Sequence, residues 1–329
     1  MLGRRPPPVF MQYSNSFTDR SNRSSELRLQ LVSDLHLDTH DHAGNLLTQG
    51  LRRHPLADLV VIAGDVGNGI ASLGRLRQLF GPGPIVMVAG NHDLCGLWWH
   101  NGIEQLKEEA KKYDIVLLEN EAWEFGGVRF LGCTLWTDME LYGARYLDQM
   151  VTQIPRCLPE YSRIPVATDL TCCGIMPLES ISQHIQGNEA RDAVEWLSPI
   201  NVIRRHRMSR RWLKEQLKHS CPAPVVVITH HLPLARSLSP VFKNMLSCGG
   251  FASNCDELFE LPCSPAYWFH GHTHHSVRYR HQATEVICNP LGYPTAKSMD
   301  NTSGEKYEFE NVLFEPLVLI DVEAAQAAS

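Results

Sequence analysis

Apolar residues along this chain fall into short unbroken runs, and each run closes on Gly, Asp, Asn or His. LRLQLV (27–32) alternates and gives way to SDLHL; LVVIAGD (59–65) and PIVMVAGNHD (84–93) follow the same plan. Runs of this length with no polar face predict strands covered on both sides. The stretches 46–53 and 69–80 between them are long enough for helices, and IEQLKEEAKKY (103–113) predicts a charged, exposed helix. IVLL (115–118), 122–125 and 128–135 predict three more strands, the last two joined by a turn at Gly126 and Gly127. HRMSRRWLKEQLKH (206–219) carries Met208, Trp212, Leu213 and Leu217 near helical spacing and predicts an amphipathic helix. VVVITHH (225–231), YWFHGHTHH (267–275), EVICN (285–289) and LVLIDV (317–322) are four further strand candidates. Strand, helix and strand in repetition predict an α/β architecture.

The periodicity weakens from 138 to about 205. Pro155, Pro159, Pro165, Pro177 and Pro199 fall there, which reads as an irregular insertion or cap. Residues 1–25 hold PPP, several Ser and Asn, and four arginines against the single acid Asp19. With Glu26 they read as a disordered leader of 1–26 ahead of one domain at 27–325, and Met11 is a second candidate initiator. No internal repeat is visible.

The chain has 329 residues, 43% hydrophobic and 20% charged, enough for a packed core. Its net charge of −6 argues against an extended nucleic-acid interface. Apolar runs such as VVVI at 225–228 are far shorter than the ~20 residues that cross a bilayer, so no membrane association is expected. The ten cysteines include no CxxC pair, and Cys172 and Cys173 are adjacent. With no secretory segment at the N-terminus, this reads as free thiols in a reducing cytoplasm. The oligomeric state is open.

Five predicted strands end in side chains that can hold metal. Asp34 and His36 end the first, Asp65 the second, Asn91 and His92 the third, His230 and His231 a later one, and His272 and His274 the last. Each has an ordinary reading alone: a polar strand end, a turn, a helix cap. Gly-His-Thr-His is sharper, since on a strand residues two apart share a face. Ligands of open α/β sheets gather beyond the carboxyl ends of the strands, so these five ends are expected to meet in one crevice.

The motifs SDLHL (33–37), AGDVGNG (63–69), AGNHDL (89–94), THHLP (229–233) and HGHTHH (270–275), in this order, resemble the calcineurin-like metallophosphoesterase superfamily. FLGCTLWTD (130–138), HRMSRRWL (206–213) and CNPLGY (288–293) resemble a group of single-domain bacterial members. The resemblance runs from about Leu27 to about Val322. It implies two β-sheets packed face to face with helices outside, a four-layer αββα sandwich. It also implies two metal ions, one held by Asp34, His36, Asp65 and His274, the other by Asp65, Asn91, His230 and His272, with Asp65 bridging. His92 would be the catalytic residue, giving a proton or hydrogen bond to the leaving oxygen; its ordinary reading is a structural hydrogen bond. His231 and His270 would be neighbours of the site and His275 exposed. One position departs from the family pattern: many members carry an aspartate that pairs with the catalytic histidine where this chain has Asn68. An amide can orient the ring but cannot stabilise an imidazolium. Asp93 could compensate, although it also reads as a helix cap.

An oxygen and imidazole donor set without thiolate suits Mn, Fe or Zn, divalent or trivalent, and not a closed structural zinc site. Two divalent ions bring four positive charges; Asp34, Asp65 and a bridging hydroxide remove three, and the remainder would hold a phosphate ester. The expected reaction is attack of that hydroxide on phosphorus in a small phosphodiester or nucleotide. A phosphoprotein phosphatase, a nuclease, or a catalytically silent metal-binding scaffold are the alternatives. His206, Arg163 and Tyr161 are weak candidates for substrate contact. The basic run Arg204, Arg205, Arg207, Arg210, Arg211 reads first as a solvated helix face. Trp98 and Trp99 read as packing residues.

Overall fold

The strand and helix elements below are those of a computed structural model, which describes residues 26–40, 50–166, 194–242, 245–300 and 304–323. The leader 1–25, residues 46–49 of the predicted helix at 46–53, residues 167–193 of the insertion and the pair Cys172 and Cys173 lie outside the described residues.

The runs without a polar face are buried on both faces because two layers cover them. β1 (Glu26–Val32), β2 (Leu59–Ile62), β3 (Ile85–Val88) and β4 (Ile115–Leu118) lie parallel, and β15 (Leu319–Glu323) closes the far edge antiparallel to β1, in the order β15-β1-β2-β3-β4. The second sheet has the order β11-β12-β10-β9-β6-β5. It is built from β5 (Glu121–Phe125), β6 (Val128–Cys133), β9 (Val225–Thr229), β10 (Tyr267–His270), β11 (Val277–His281) and β12 (Thr284–Cys288). Its inner pairs β6/β9, β9/β10 and β10/β12 are parallel and its edges antiparallel. β7 (Pro165–Val166) with β8 (Glu195–Trp196), and β13 (Pro294–Asp300) with β14 (Gly304–Phe309), form two small ribbons.

Alternation along each strand sorts the core. Leu59, Val61, Val86 and Val88 meet Val226 and Ile228 between the sheets. Val60, Ile62, Ile85 and Met87 face outward to the residues of α1 (Leu73–Phe80) and α2 (Gly102–Lys112), including Leu76, Phe80, Ile103 and Leu106. Val225 and Val227 face the other way, into a cluster with Leu213 and Leu217 of α4 (Pro199–Leu217). The result is the expected helix, sheet, sheet, helix sandwich.

Several boundaries differ from the sequence reading. The described end of the 46–53 stretch is not helical, because Arg53 reaches across to the Phe80 and Pro84 carbonyls (3.2 and 2.9 Å). The insertion is more regular than its prolines suggest. α3 (Leu147–Cys157) buries Met150 and Ile154 with Pro155 in its last turn, and Pro159 and Pro199 open helical turns, where a missing N–H costs nothing. α4 therefore starts at Pro199, well before the 206 predicted, and Ser198 N donates to Asn201 Oδ1 (3.1 Å) at its start. β11 was hidden by Arg278 and Arg280, which an exposed edge strand tolerates.

The free-thiol expectation also needs correcting. Cys221, just past α4, and Cys263, before β10, are joined by a disulfide with Cα atoms 5.7 Å apart. Two segments 42 residues apart in sequence become neighbours when Cys263 N donates to Leu217 O (3.0 Å), a proximity that no local spacing announces. Cys95, Cys133, Cys157, Cys248, Cys255 and Cys288 are free. Among the described residues no helix is long and apolar enough to cross a membrane.

Candidate metal centre

The parallel strands of both sheets deliver their carboxyl ends to one crevice. Asp34 and His36 follow β1, Asp65 follows β2, Asn91 follows β3, His230 follows β9, and His272 and His274 follow β10. Asp34, His36, Asp65, His272 and His274 have positive φ, between 42° and 68°. This left-handed backbone is unusual for non-glycine residues, and here it bends the chain directly after each strand. The Gly-His-Thr-His histidines therefore do not share a strand face as predicted. β10 stops at His270, and each ring reaches the crevice from its own left-handed turn.

The predicted ligands divide into two groups. Asp34, His36 and His274 place ligand atoms within 4.8 Å of one another, and so do Asp65, His230 and His272. His274 Nε2 is 3.5 Å from Asp34 Oδ1 and 3.1 Å from His36 Nε2. His230 Nε2 is 3.3 Å from Asp65 Oδ2 and 3.0 Å from Asn91 Oδ1. Asp65 lies between the groups, 3.9 Å from His36 Nε2 through its Oδ2 atom. Glycine leaves the necessary room. A Cβ on Gly90 would lie 2.0 Å from Asp65 Oδ1, and one on Gly64 would lie 2.4 Å from His230 Nδ1.

These residues fit a bound cation. His230 Nδ1 faces the Ala63 carbonyl at 2.9 Å, and His274 Nδ1 faces the Glu310 carboxylate. With each Nδ1–H donated outward, Nε2 turns its lone pair inward, onto the oxygens of Asp34, Asp65 and Asn91. His36 Nδ1 and His272 Nε2 are buried with no hydrogen-bond partner among the described residues. Lone pairs facing lone pairs repel unless positive charge stands among them. Without an ion, protons supply it. Burial disfavours a charged His230, yet the Asp65 carboxylate lifts it to about 9. Burial also opposes charge on His274, but its hydrogen bonds to Asp34 and Glu310 lift it to about 10. His36, where burial dominates, is pushed down to about 3.

Behind the ligands stands a ring of supporting groups. Asp93 accepts four backbone N–H groups, from Asp65 and Gly90 (2.8 Å each), Val66 (3.0 Å) and Gly67 (3.3 Å). Its carboxylate is thus spent on holding the Asp65 loop rather than on capping its own turn or partnering His92. Burial, then the neighbouring Asp65 charge, push it up to about 7. Asn68 donates to Asp38. His231 is buried, its ring 4.4 Å from His272 and its Nδ1 3.2 Å from Thr134 O. His270 is buried with Nδ1 against Gly271 O (3.0 Å), and His275 is half-buried rather than exposed.

His92, buried at 8% exposure, sits beside His36 and Asp65. Its backbone N–H donates to Asp65 Oδ1 (2.8 Å), and its ring stands edge-on to His36 at 4.7 Å. Its Nε2 lies 2.9 Å from the Tyr293 hydroxyl, and the Tyr293 ring stacks on His36 at 4.2 Å. His36, Asp65 and His92 also bring ligand atoms within 4.8 Å of one another.

The three substrate-contact candidates separate. Arg163 is exposed, its charge close enough to act on Cys95 and Tyr293. Tyr161 is 6% exposed and belongs to the helix-side core, because it lies in a turn whose apolar side faces inward. His206 is buried, with Nδ1 3.2 Å from Trp136 O, because it lies on the inner face of α4. The basic run on α4 is a solvated, ion-paired face. Arg210 bridges Asp138 (3.2 Å) and Glu257 (2.6 Å), and Arg205 stacks on Trp99. Trp99 packs edge-on to Trp136 as expected.

Three acidic or aromatic supports escaped the sequence reading. Tyr293 ends the CNPLGY stretch, whose pattern gives the tyrosine no role. Glu160, fully buried, hydrogen-bonds the Asn91 side chain from within the proline-rich insertion, and burial pushes it up to about 7. Glu310 follows β14 and carried no local signal.

Comparison with known proteins agrees with this geometry. The family model described as calcineurin-like phosphoesterase matches residues 27–276. An uncharacterized protein of Acanthamoeba polyphaga mimivirus is 24% identical over 289 residues, which is 80% of this chain and 91% of that protein. The crystal structure of phosphopantetheinyl hydrolase from Mycobacterium tuberculosis superposes with a TM-score of 0.54 at 16% identity. It covers 89% of this chain and 99% of that one, a likeness of fold.

Proposed function

The chain belongs to the calcineurin-like phosphoesterase family, and we propose that it hydrolyses a small phosphate ester, a phosphodiester or nucleotide, with two metal ions. The observation that carries this reading is the convergence of buried lone pairs from five strand ends. Asp34, His36 and His274 would hold one ion, Asn91, His230 and His272 the other, and Asp65 would serve both. Mn, Fe or Zn suits these donors; when bound, the pair lowers the pKa of water and neutralises charge on the phosphoryl oxygens.

The chain's own residues divide the remaining work. Asp93 holds the Asp65 carboxylate in place through the loop backbone. His92 stands beside His36 and Asp65, placed to donate to the leaving oxygen. Arg163, exposed and close enough for its charge to act on Tyr293, offers a cation to the ester's outer oxygens. The net charge of −6 supports a small substrate over an extended nucleic acid, with no membrane partner. We place the protein in the cytoplasm on the strength of its free cysteines, with Cys221–Cys263 as the feature against that placement.

Elemental analysis of the purified protein, with hydrolysis of bis(p-nitrophenyl) and mono-p-nitrophenyl phosphate after Mn²⁺ addition, tests the reading. Two metals per chain and metal-dependent turnover are expected, faster on the diester. Metal without turnover on either ester would favour a silent scaffold, and no metal under any loading would remove the basis of the centre.

A further inference from the structure

The ring of His92 has one hydrogen-bond partner among the described residues, the Tyr293 hydroxyl 2.9 Å from Nε2. Asn68, which stands at the position of the family's pairing aspartate, is turned to Asp38 instead. Asp93 is occupied by four backbone amides. The group that meets the catalytic nitrogen thus comes from 201 residues away, from a segment beyond the family match at 27–276.

The ring of Tyr293 is itself fixed. It stacks on His36 with an interplanar angle of 29°, and its backbone N–H donates to Glu310 Oε2 (3.0 Å). Its hydroxyl therefore cannot withdraw without disturbing the centre. A leaving oxygen within hydrogen-bond reach of His92 Nε2 can also meet this hydroxyl. Two donors 2.9 Å apart can share one acceptor, since a point at ordinary hydrogen-bond distance from both exists beside their axis. In the free enzyme Nε2–H is donated to the phenol oxygen; an arriving leaving oxygen takes over this N–H, and the phenol hydrogen points to the same acceptor.

We propose that Tyr293 is a second leaving-group residue, its O–H and His92 Nε2 together receiving the oxygen of the departing alcohol. This rests on the phosphoesterase reading above. It assigns no covalent step to the tyrosine: its O–H hydrogen-bonds the developing oxyanion as the phosphorus–oxygen bond breaks, and the proton that completes the alcohol comes from Nε2 of His92, whose ring enters the step as imidazolium and leaves it as neutral imidazole.

Tyr293→Phe keeps the stacked ring and removes only the hydroxyl. In the metal-loaded enzyme we expect unchanged metal content and KM. kcat should fall by roughly 10- to 100-fold on phenyl esters and by less on p-nitrophenyl esters, whose leaving group needs less help. In a His92→Gln background the same change should add little. A readout independent of turnover is the imidazole ¹⁵N–¹H spectrum of the zinc-loaded protein. The His92 Nε2 proton, assigned by its loss in His92→Gln, should shift or exchange away in Tyr293→Phe. Equal loss on all leaving groups, full additivity with His92→Gln, loss of metal, or an unmoved His92 resonance would each overturn the proposal. A wild-type enzyme inactive on every ester would count against the phosphoesterase reading alone, and the spectrum would still decide whether the two side chains are joined.

Discussion

The two halves of the proposed centre each pair two histidines with an oxygen donor but are backed by different parts of the molecule. Asn91, His230 and His272 are at most 7% exposed and are braced by groups of the domain's interior: the Ala63 carbonyl, Glu160, His231 and the ring of Phe251 4.5 Å from His272. The other half buries Asp34 and His36 fully and is open on one side only. His274 has 19% of its side chain exposed, and its brace, Glu310, is 38% exposed and arrives with the last part of the chain. Ligand chemistry separates the halves by one group, the Asp34 carboxylate against the neutral Asn91 amide. Their surroundings enclose one on every side and leave the other a closing wall, His274 and Glu310, that water and a chelator can reach.

The harshest way to erase the contrast is Gly90→Ala. The added methyl would displace the Asp65 carboxylate both halves share, and metal content measured by elemental analysis should fall to none, with turnover lost. If the variant folds and keeps two metals, Asp65 is not shared. Next, His272→Ala and His274→Ala should each leave about one metal per chain. The ion left in His274→Ala should resist a chelator for longer, because it sits in the interior half; identical stripping rates in the two variants would end the comparison. Glu310→Gln should weaken one of two ions by about 10- to 100-fold in a metal titration and leave the other unchanged. Equal weakening of both would mean that Glu310 braces the whole centre.

The mildest test concerns Glu119, which accepts Thr134 N–H and O–H (2.8 Å each) behind the His231 side of the interior half. Burial holds its carboxyl above the ordinary value. For an acid so raised, the folded state keeps a proton the unfolded chain would release. Its stabilisation is full at pH below the ordinary carboxylate value and is lost as pH rises through the raised one. The Tm of the metal-free protein should therefore decline over that window more in wild type than in Glu119→Gln. Parallel curves would show that Glu119 does not titrate across folding.

The interior half was legible in the sequence because its ligands end runs whose apolar character announces buried strands, and position after a strand is enough to predict convergence. Even there the means differed, since the HGHTHH histidines meet through left-handed turns and not through strand alternation. The open half was legible only in its ligands. Glu310 and Tyr293 come from weakly patterned chain, and their roles depend on contacts 36 and 201 residues distant, which no local periodicity encodes. Glu160 was hidden for another reason: prolines that sit harmlessly at helix starts gave its segment the look of a loop.

The five left-handed residues of the proposed centre carry a further consequence. Each holds a backbone conformation costing on the order of 1–3 kcal/mol for a non-glycine residue. A laboratory selection for heat resistance alone would therefore drift toward glycine or asparagine at positions 34, 36, 65, 272 and 274, and would yield a hardier protein that can no longer hold an ion. In this fold, durability and chemistry compete for the same five positions.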